Sequence, residues 1–311
     1  MEKELVTIFG GTGLLGGAIY RVLDKDKYTI SAPSRKEEFN LLSKESVENY
    51  FKENKPKYIF MVAGLVGGIK ANKQRGADFL YQNSMMIFNV LEAVRKYSPN
   101  SKILYTGSTC IYPKENPQPI NEERFLAGKL EQTNIGYAIS KISGIVACQL
   151  YKEQYGINSV CVMPINLYGI GDNYDLEEGH FLAALIKKCY DSKMSGKALQ
   201  FWGTGKPRRE ALYSEDCAKA CIYVVENYNG DEIINIGTGF DYSIKEYVEI
   251  MGRLMKLDIS SISWDTTKPD GTFEKRTDIT RLKSIMPEFN PRSFEDGVKE
   301  VLKGDFNYLF R

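Results

Sequence analysis

At 311 residues the chain is longer than a single hydrophobic core usually supports, so one large domain with an appended lobe is expected. Its 43% hydrophobic and 26% charged content is that of a globular protein and excludes long disordered tracts. With 41 lysines and arginines against 40 aspartates and glutamates, no global field attracts nucleic acid or an anionic membrane, and any anion site has to be local. The N-terminus lacks the pattern of an export signal, and no apolar run reaches the roughly 18 residues of a membrane span, so a cytoplasmic location is expected. In that setting the six cysteines, which lack CxxC spacing, are read as reduced; Cys217 and Cys221, one helical turn apart with no histidine nearby, are read as core residues, and no metal is expected.

In chain order, LVTIF (5–9) is a short β-rich run ending in glycines, and the stretch that follows it has helical periodicity. YTISA, YIFMVA, KILYTG and SVCVM repeat the strand pattern, with helix-like segments between them, and EIINIG (232–237) adds a further strand. This alternation predicts an α/β fold, a doubly wound parallel sheet. Segments 76–97 and 137–156 are apolar on most faces, which predicts helices covered on both sides, one by the sheet and the other by a partner subunit or a covering loop. After Pro164 the glycine- and aspartate-rich loops, a helix-like HFLAALIKKCY and the short strand ALQFWG suggest a second, smaller α/β lobe. The helices beginning at Ser214 and Ser243 both read as serine-capped, the second with Glu246 in the reciprocal capping-box position. The predicted division is residues 1–166 plus 211–240 for the dinucleotide-binding domain, and 167–210 plus 241–311 for the substrate lobe.

GGTGLLGG places Gly10, Gly13 and Gly16 between the first strand and the first helix, where missing side chains let the backbone turn tightly and approach a diphosphate. Taken alone, such glycines serve equally well as plain turns. The second strand ends in Ser34, Arg35 and Lys36 rather than in an acidic residue, a chemistry suited to the 2′-phosphate of NADPH, although two loop cations can also be merely solvated. In YAISK, Tyr137 and Lys141 share a helical face, so the ammonium is expected to lower the phenol pKa, and Ser108 at the end of the fourth strand can hydrogen-bond a substrate oxygen. YxxxK occurs by chance in many helices, but its coupling to the glycine motif and a strand-end serine argues against a chance match.

With these motifs, the sequence resembles the extended short-chain dehydrogenases/reductases, a family of Rossmann-type fold, and within them the GDP-L-fucose synthase family. The resemblance covers almost the whole chain and rests on NLL (40–42), VGGIKAN (66–72), ADFLYQN (77–83), GSTCIYPK (107–114), LEQTNIGYAISKISG (130–144), MPINLYG (163–169), WGTGKPRRE (202–210) and KPDGT (268–272). It implies NADPH as cofactor, with Leu14, Leu15, Asn40 and Leu41 joining the glycines, the Ser34–Lys36 run, Tyr137 and Lys141 in binding it. It implies that Cys110 and His180 are the acid–base pair that inverts C3 and C5 of a GDP-4-ketosugar before reduction. That assignment suits the chemistry, because a C4 ketone acidifies its neighbouring C–H bonds and a thiol and an imidazole both titrate near neutrality. Asn166, Lys187, Trp202, Arg209 and Asp278 match positions that contact the GDP moiety. A homodimer, and a place in capsule or lipopolysaccharide precursor synthesis, are further implications.

The sequence departs from the family pattern at several points. Thr12 stands where the family has an arginine on the 2′-phosphate, Leu65 and Lys187 replace a lysine and an arginine, and ALYSED replaces FLHVDD. These leave open a different sugar, such as another 6-deoxyhexose or a heptose, and a C4 reductase whose substrate is epimerised elsewhere. A 4,6-dehydratase would carry an aspartate–glutamate pair where Thr109 and Cys110 stand. A non-catalytic dinucleotide sensor would have no reason to keep Ser108, Tyr137 and Lys141 together.

Overall fold

The computed structural model describes residues 3–175, 179–267, 270 and 272–308. In the first half, β1 (Glu4–Phe9), α1 (Leu14–Val22), β2 (Tyr28–Ser31), α2 (Lys44–Glu53), β3 (Tyr58–Met61), α3 (Ile69–Gln74), α4 (Gly76–Tyr97), β4 (Lys102–Thr106), α5 (Ile135–Tyr155) and β5 (Ser159–Pro164) alternate along the chain. They are followed by β6 (Asn166–Tyr168), α6 (Phe181–Ser195), β7 (Gln200–Trp202), β8 (Arg208–Tyr213), α7 (Ser214–Asn227) and β9 (Ile234–Ile236). The chain continues through β10 (Asp241–Ser243), α8 (Ile244–Met255), β11 (Ser263–Asp265), β12 (Glu274–Lys275), α9 (Thr280–Ile285) and α10 (Phe294–Gly304).

Six strands form one parallel sheet in the order β2-β1-β3-β4-β5-β9, the expected doubly wound architecture. Its central strand β3, YIFM, is apolar throughout because both faces are covered. Within β4, Ile103 and Tyr105 enter the core under α4 and α5, whereas Leu104 enters the core under α1 and α7. Cys217 and Cys221 lie buried in that second core, and the described cysteines are all free thiols. The crossovers leave β1 in opposite directions toward β2 and β3, so a crevice opens at the carboxyl ends of β1 and β3, where doubly wound sheets bind their ligands.

The smaller lobe gathers β6, β8, β10 and β12 around β8, pairs β7 with β11, and packs α6, α8 and α10 over a separate core that includes Tyr168, Leu185, Phe201, Tyr247, Met251 and Phe294. Helix α8 starts as its sequence predicts: Ser243 Oγ accepts from Glu246 N at 3.1 Å, and Glu246 Oε2 accepts from Ser243 N at 2.7 Å. The expected cap at Ser214 is not formed. Strand β8 runs directly into α7, so the extended Tyr213 takes the N-cap position and Ser214 is the first helical residue, its buried hydroxyl turned against Gly169. Ile279, Leu282 and Phe289 return to the core beneath α1 and α7, although they follow the strands of the lobe in sequence. Among the described residues no helix is long and apolar enough to cross a membrane.

Candidate active site

The turn after β1 shows why its glycines are required. Gly10 has φ +97°, and a Cβ there would come within 2.7 Å of the Ala63 amide at the end of β3. A side chain on Gly16 would collide with the Gly10 carbonyl, so the first turn of α1 packs directly on the strand that feeds it. Gly13 is the N-cap of α1 and offers no side-chain cap, which leaves the first-turn amides, including those of Leu14 and Leu15, available to an anion. This cradle fits a dinucleotide diphosphate. At the end of β2, Ser34 opens a single helical turn, closed by the Glu37 carboxylate accepting from its amide at 3.0 Å. Arg35 and Lys36 are exposed there and, among the described residues, neither has a carboxylate partner, so both can take a 2′-phosphate. Asn40 Oδ1 accepts from Leu42 N at 3.0 Å, and Asn89 on α4 donates to the Leu41 carbonyl at 2.9 Å, which fixes the adjoining turn.

At the carboxyl end of β4 the chain makes one tight turn, Thr109–Ile111, whose Cys110 amide donates to Ser108 Oγ at 3.2 Å. Tyr137, near the start of α5, has Ser108 and Cys110 as neighbours, the first favouring ionisation of the phenol and the second disfavouring it. Ser108, Cys110, Tyr137 and Lys141 are thus brought together. Lys141 is 3% exposed, with Nζ 5.8 Å from the Tyr137 ring centre and donating to the Thr106 carbonyl at 2.7 Å. Burial lowers the amine to about 8. The expected lowering of the phenol by Lys141 is not found: burial raises the Tyr137 pKa above its ordinary value, and the ammonium is spent on a backbone carbonyl instead.

His180 comes from the lobe as the N-cap of α6, with its imidazole 3.7 Å from Asp172. The residues expected on the nucleotide side are distributed over the lobe. Trp202, on β7, is 71% exposed, and Lys188 Nζ lies 6.0 Å from its ring centre. Arg209 on β8 is half-buried, with Nη1 donating to the Arg208 carbonyl at 2.7 Å and, among the described residues, no carboxylate partner, and desolvation lowers its pKa. Such a guanidinium suits an anionic ligand. Asn166 donates to the Glu210 carbonyl at 3.0 Å, while Lys187 is paired with Asp191 at 2.5 Å. Asp278 accepts from Thr280 N at 2.8 Å, capping the turn into α9. Of the KPDGT stretch, Lys268, Pro269 and Gly271 lie outside the described residues.

Residues 6–237 match the model of the NAD dependent epimerase/dehydratase family. The chain is 42% identical to a GDP-L-fucose synthase of Sinorhizobium fredii over 92% of its own length and 90% of that protein's. The chain belongs to the GDP-L-fucose synthase family. Among solved structures it superimposes on a GDP-6-OMe-4-keto-L-xylo-heptose reductase from Campylobacter jejuni with a TM-score of 0.89, at 29% identity and 99% coverage of both chains. An NADP-bound GDP-L-fucose synthetase from Naegleria fowleri gives a TM-score of 0.90 at 25% identity, covering 99% of this chain and 95% of that one.

Three supporting residues of this family member escaped the sequence reading. Asn83, inside the recognised ADFLYQN stretch, clamps the loop after β3 by bonding both the amide and the carbonyl of Leu65. The buried carboxylate of Glu210 accepts from the Thr238, Gly239 and Thr277 amides at 2.6, 2.6 and 2.7 Å, tying the β9–β10 loop to the segment that carries Asp278. Asn235 accepts from the Tyr112 hydroxyl at 2.6 Å and donates to the Ile120 and Asp278 carbonyls, linking the Cys110 loop to that same segment. Only a polar residue inside an otherwise apolar strand or helix hints at such roles; the partners are set by the tertiary fold.

Proposed function

We propose that the chain uses NADPH to reduce the C4 ketone of a GDP-4-ketosugar, after inverting the sugar at C3 and C5. The observation that carries this reading is the cluster at the end of β4, where Ser108 and Cys110 adjoin Tyr137 and the buried Lys141 has its Nζ 5.8 Å from the Tyr137 ring centre. NADPH, when bound in the glycine cradle, supplies the hydride. Ser108 and Tyr137 hold the C4 oxygen, and Tyr137 gives its proton to the alkoxide. Burial keeps the phenol protonated at neutral pH, so the donor is loaded, and the alkoxide is the stronger base. Before reduction, one member of the Cys110–His180 pair removes a proton next to the ketone and the other delivers one to the opposite face.

The likeness to the Campylobacter heptose reductase supports a second reading: C4 reduction alone, on a GDP-4-keto-deoxyhexose or GDP-4-ketoheptose already inverted. Offering the purified protein a panel of GDP- and UDP-4-ketosugars with NADPH, and identifying the products by NMR, tests both. C4-reduced products inverted at C3 and C5 support the first reading, and products with unchanged stereocentres support the second. Turnover confined to UDP-sugars contradicts both.

The reading includes a homodimer formed through α4 and α5. These helices leave Leu80, Tyr81, Phe88, Ile135, Ile139 and Leu150 at the surface, apolar side chains that a partner subunit would cover. Sedimentation equilibrium is expected to give twice the chain mass, and Tyr81→Glu with Leu150→Glu to give the monomer.

A further inference from the structure

We propose that Asp172 is a positioning residue for His180, a buried carboxylate that takes the imidazole Nδ1–H and leaves Nε2 as the atom that exchanges protons with the sugar. The inference rests on the reading of His180 as one of the epimerising pair. The Asp172 side chain is 3% exposed, and its Oδ1 lies 3.7 Å from His180 Nδ1. That oxygen also accepts from Asn173 N at 2.8 Å, while Oδ2 is buried and, among the described residues, without a hydrogen-bond partner. A carboxylate is costly to bury in this condition, so its place beside an ionisable ring calls for a use. Nearby Tyr174 does not supply the missing bond, since its hydroxyl bonds Asp305 Oδ2 at 2.5 Å.

His180 itself is unusual in its position. It occupies the N-cap of α6, where serine, threonine, asparagine or aspartate would stabilise the helix, yet its side chain forms no cap. The imidazole instead faces Asp172 across 3.7 Å, a gap slightly longer than a hydrogen bond that closes in the proposal when substrate binds.

In each inversion a C–H bond next to the C4 ketone breaks, its electron pair enters the conjugated enolate, and a new C–H bond forms on the opposite face. His180 Nε2 gains or gives one proton in that cycle while Nδ1–H stays in place. Asp172 holds the Nδ1–H throughout and stabilises the ring in whichever half of the cycle His180 carries the extra proton. Without it the ring is free to adopt the other tautomer, with the wrong atom protonated.

His180 is the single histidine of the chain, so its tautomer can be read without assignment. In the full-length protein labelled with ¹⁵N-histidine, long-range ¹H–¹⁵N correlation at about pH 8.5 is expected to show Nδ1 protonated, and Asp172→Asn is expected to shift the population to Nε2–H. In D₂O with a turned-over 4-ketosugar, Asp172→Asn should lose deuterium incorporation at C3 and C5 by about a hundredfold or more, the usual worth of a positioned acid–base group. Reduction of the already inverted ketosugar should fall far less, and Asp172→Glu should recover part of the exchange. A wild-type ring protonated at Nε2, or exchange and reduction falling in parallel in both variants, overturns the proposal. If wild-type enzyme reduces its substrate with no exchange but shows an Nδ1–H tautomer that Asp172→Asn abolishes, the epimerising role of His180 fails while the Asp172 contact stands.

Discussion

Asn83 holds Leu65 with both atoms of its amide: Oδ1 accepts from Leu65 N at 2.6 Å and Nδ2 donates to the Leu65 carbonyl at 3.0 Å. The loop so held borders Lys141, because a Cβ on the preceding Gly64 would lie 3.6 Å from the lysine Nζ. Helix α4 therefore sets the wall of the site in which Lys141 is enclosed.

Asn83→Leu leaves the part-buried N–H and C=O of Leu65 without their side-chain partner, at a cost of about 1 kcal/mol in stability. Turnover is expected to fall about tenfold or more as the loop loosens. Asn83→Asp keeps the acceptor and loses the donor, so it should fall between the two. Steady-state kinetics beside urea unfolding check this; a Leu variant with wild-type turnover would show that the clamp is irrelevant to the site.

Tyr137→Phe removes the proposed proton donor and leaves the glycine cradle untouched. Reduction is expected to drop by about a hundredfold or more, with NADPH affinity held within a few-fold. Fluorescence titration and single-turnover reduction measure the two separately. Activity within a few-fold of wild type would remove Tyr137 from the chemistry.

How much of this was legible in the sequence differs from residue to residue. The sheet was, because strands buried on both faces leave unbroken apolar runs such as YIFM, and the Ser243–Glu246 box announces its helix. Ser108, Tyr137 and Lys141 were legible because the motif fixes them to one strand end and one helical face. The balance between them was not: the proton affinity of Tyr137 depends on burial and on Cys110, and Lys141 is diverted to a carbonyl on β4. Asp172 and Glu210 looked like surface acids among many, since only the folded lobe shows what buries them.

Exposed Arg35 and Lys36 predict a preference for NADPH over NADH that Arg35→Ala with Lys36→Ala reduces by about tenfold, a modest effect because solvent screens the pair. Thr12 is exposed beside the cradle and adds no charge, so Thr12→Arg should strengthen the preference. Equal wild-type affinities for the two cofactors would contradict the assignment.

Lys141 also gives stability a pH dependence. Its amine is lowered from the ordinary lysine value to about 8 in the fold, so the unfolded chain binds its proton more tightly between those values, and stability rises with pH across that window. The contribution is lost as pH falls through about 8. Unfolding free energies at pH 7 and 9 should therefore differ more in wild type than in Lys141→Met, by about 1 kcal/mol over the window. A difference of the opposite sign would show that Lys141 is not desolvated in the folded protein.

The most direct test of the account follows the carbon-bound protons themselves. The GDP-4-ketosugar that the enzyme reduces is incubated with NADPH in D₂O, and deuterium at C3 and C5 of the product is read by NMR against a control without enzyme. Wild type is expected to incorporate deuterium at both carbons, and Cys110→Ser to lose that exchange while still reducing a substrate supplied with its centres inverted, because a serine hydroxyl is a poor base at neutral pH. A wild-type product reduced at C4 with no deuterium above background would contradict the account, leaving a plain C4 reductase in which Cys110 and His180 serve only to bind.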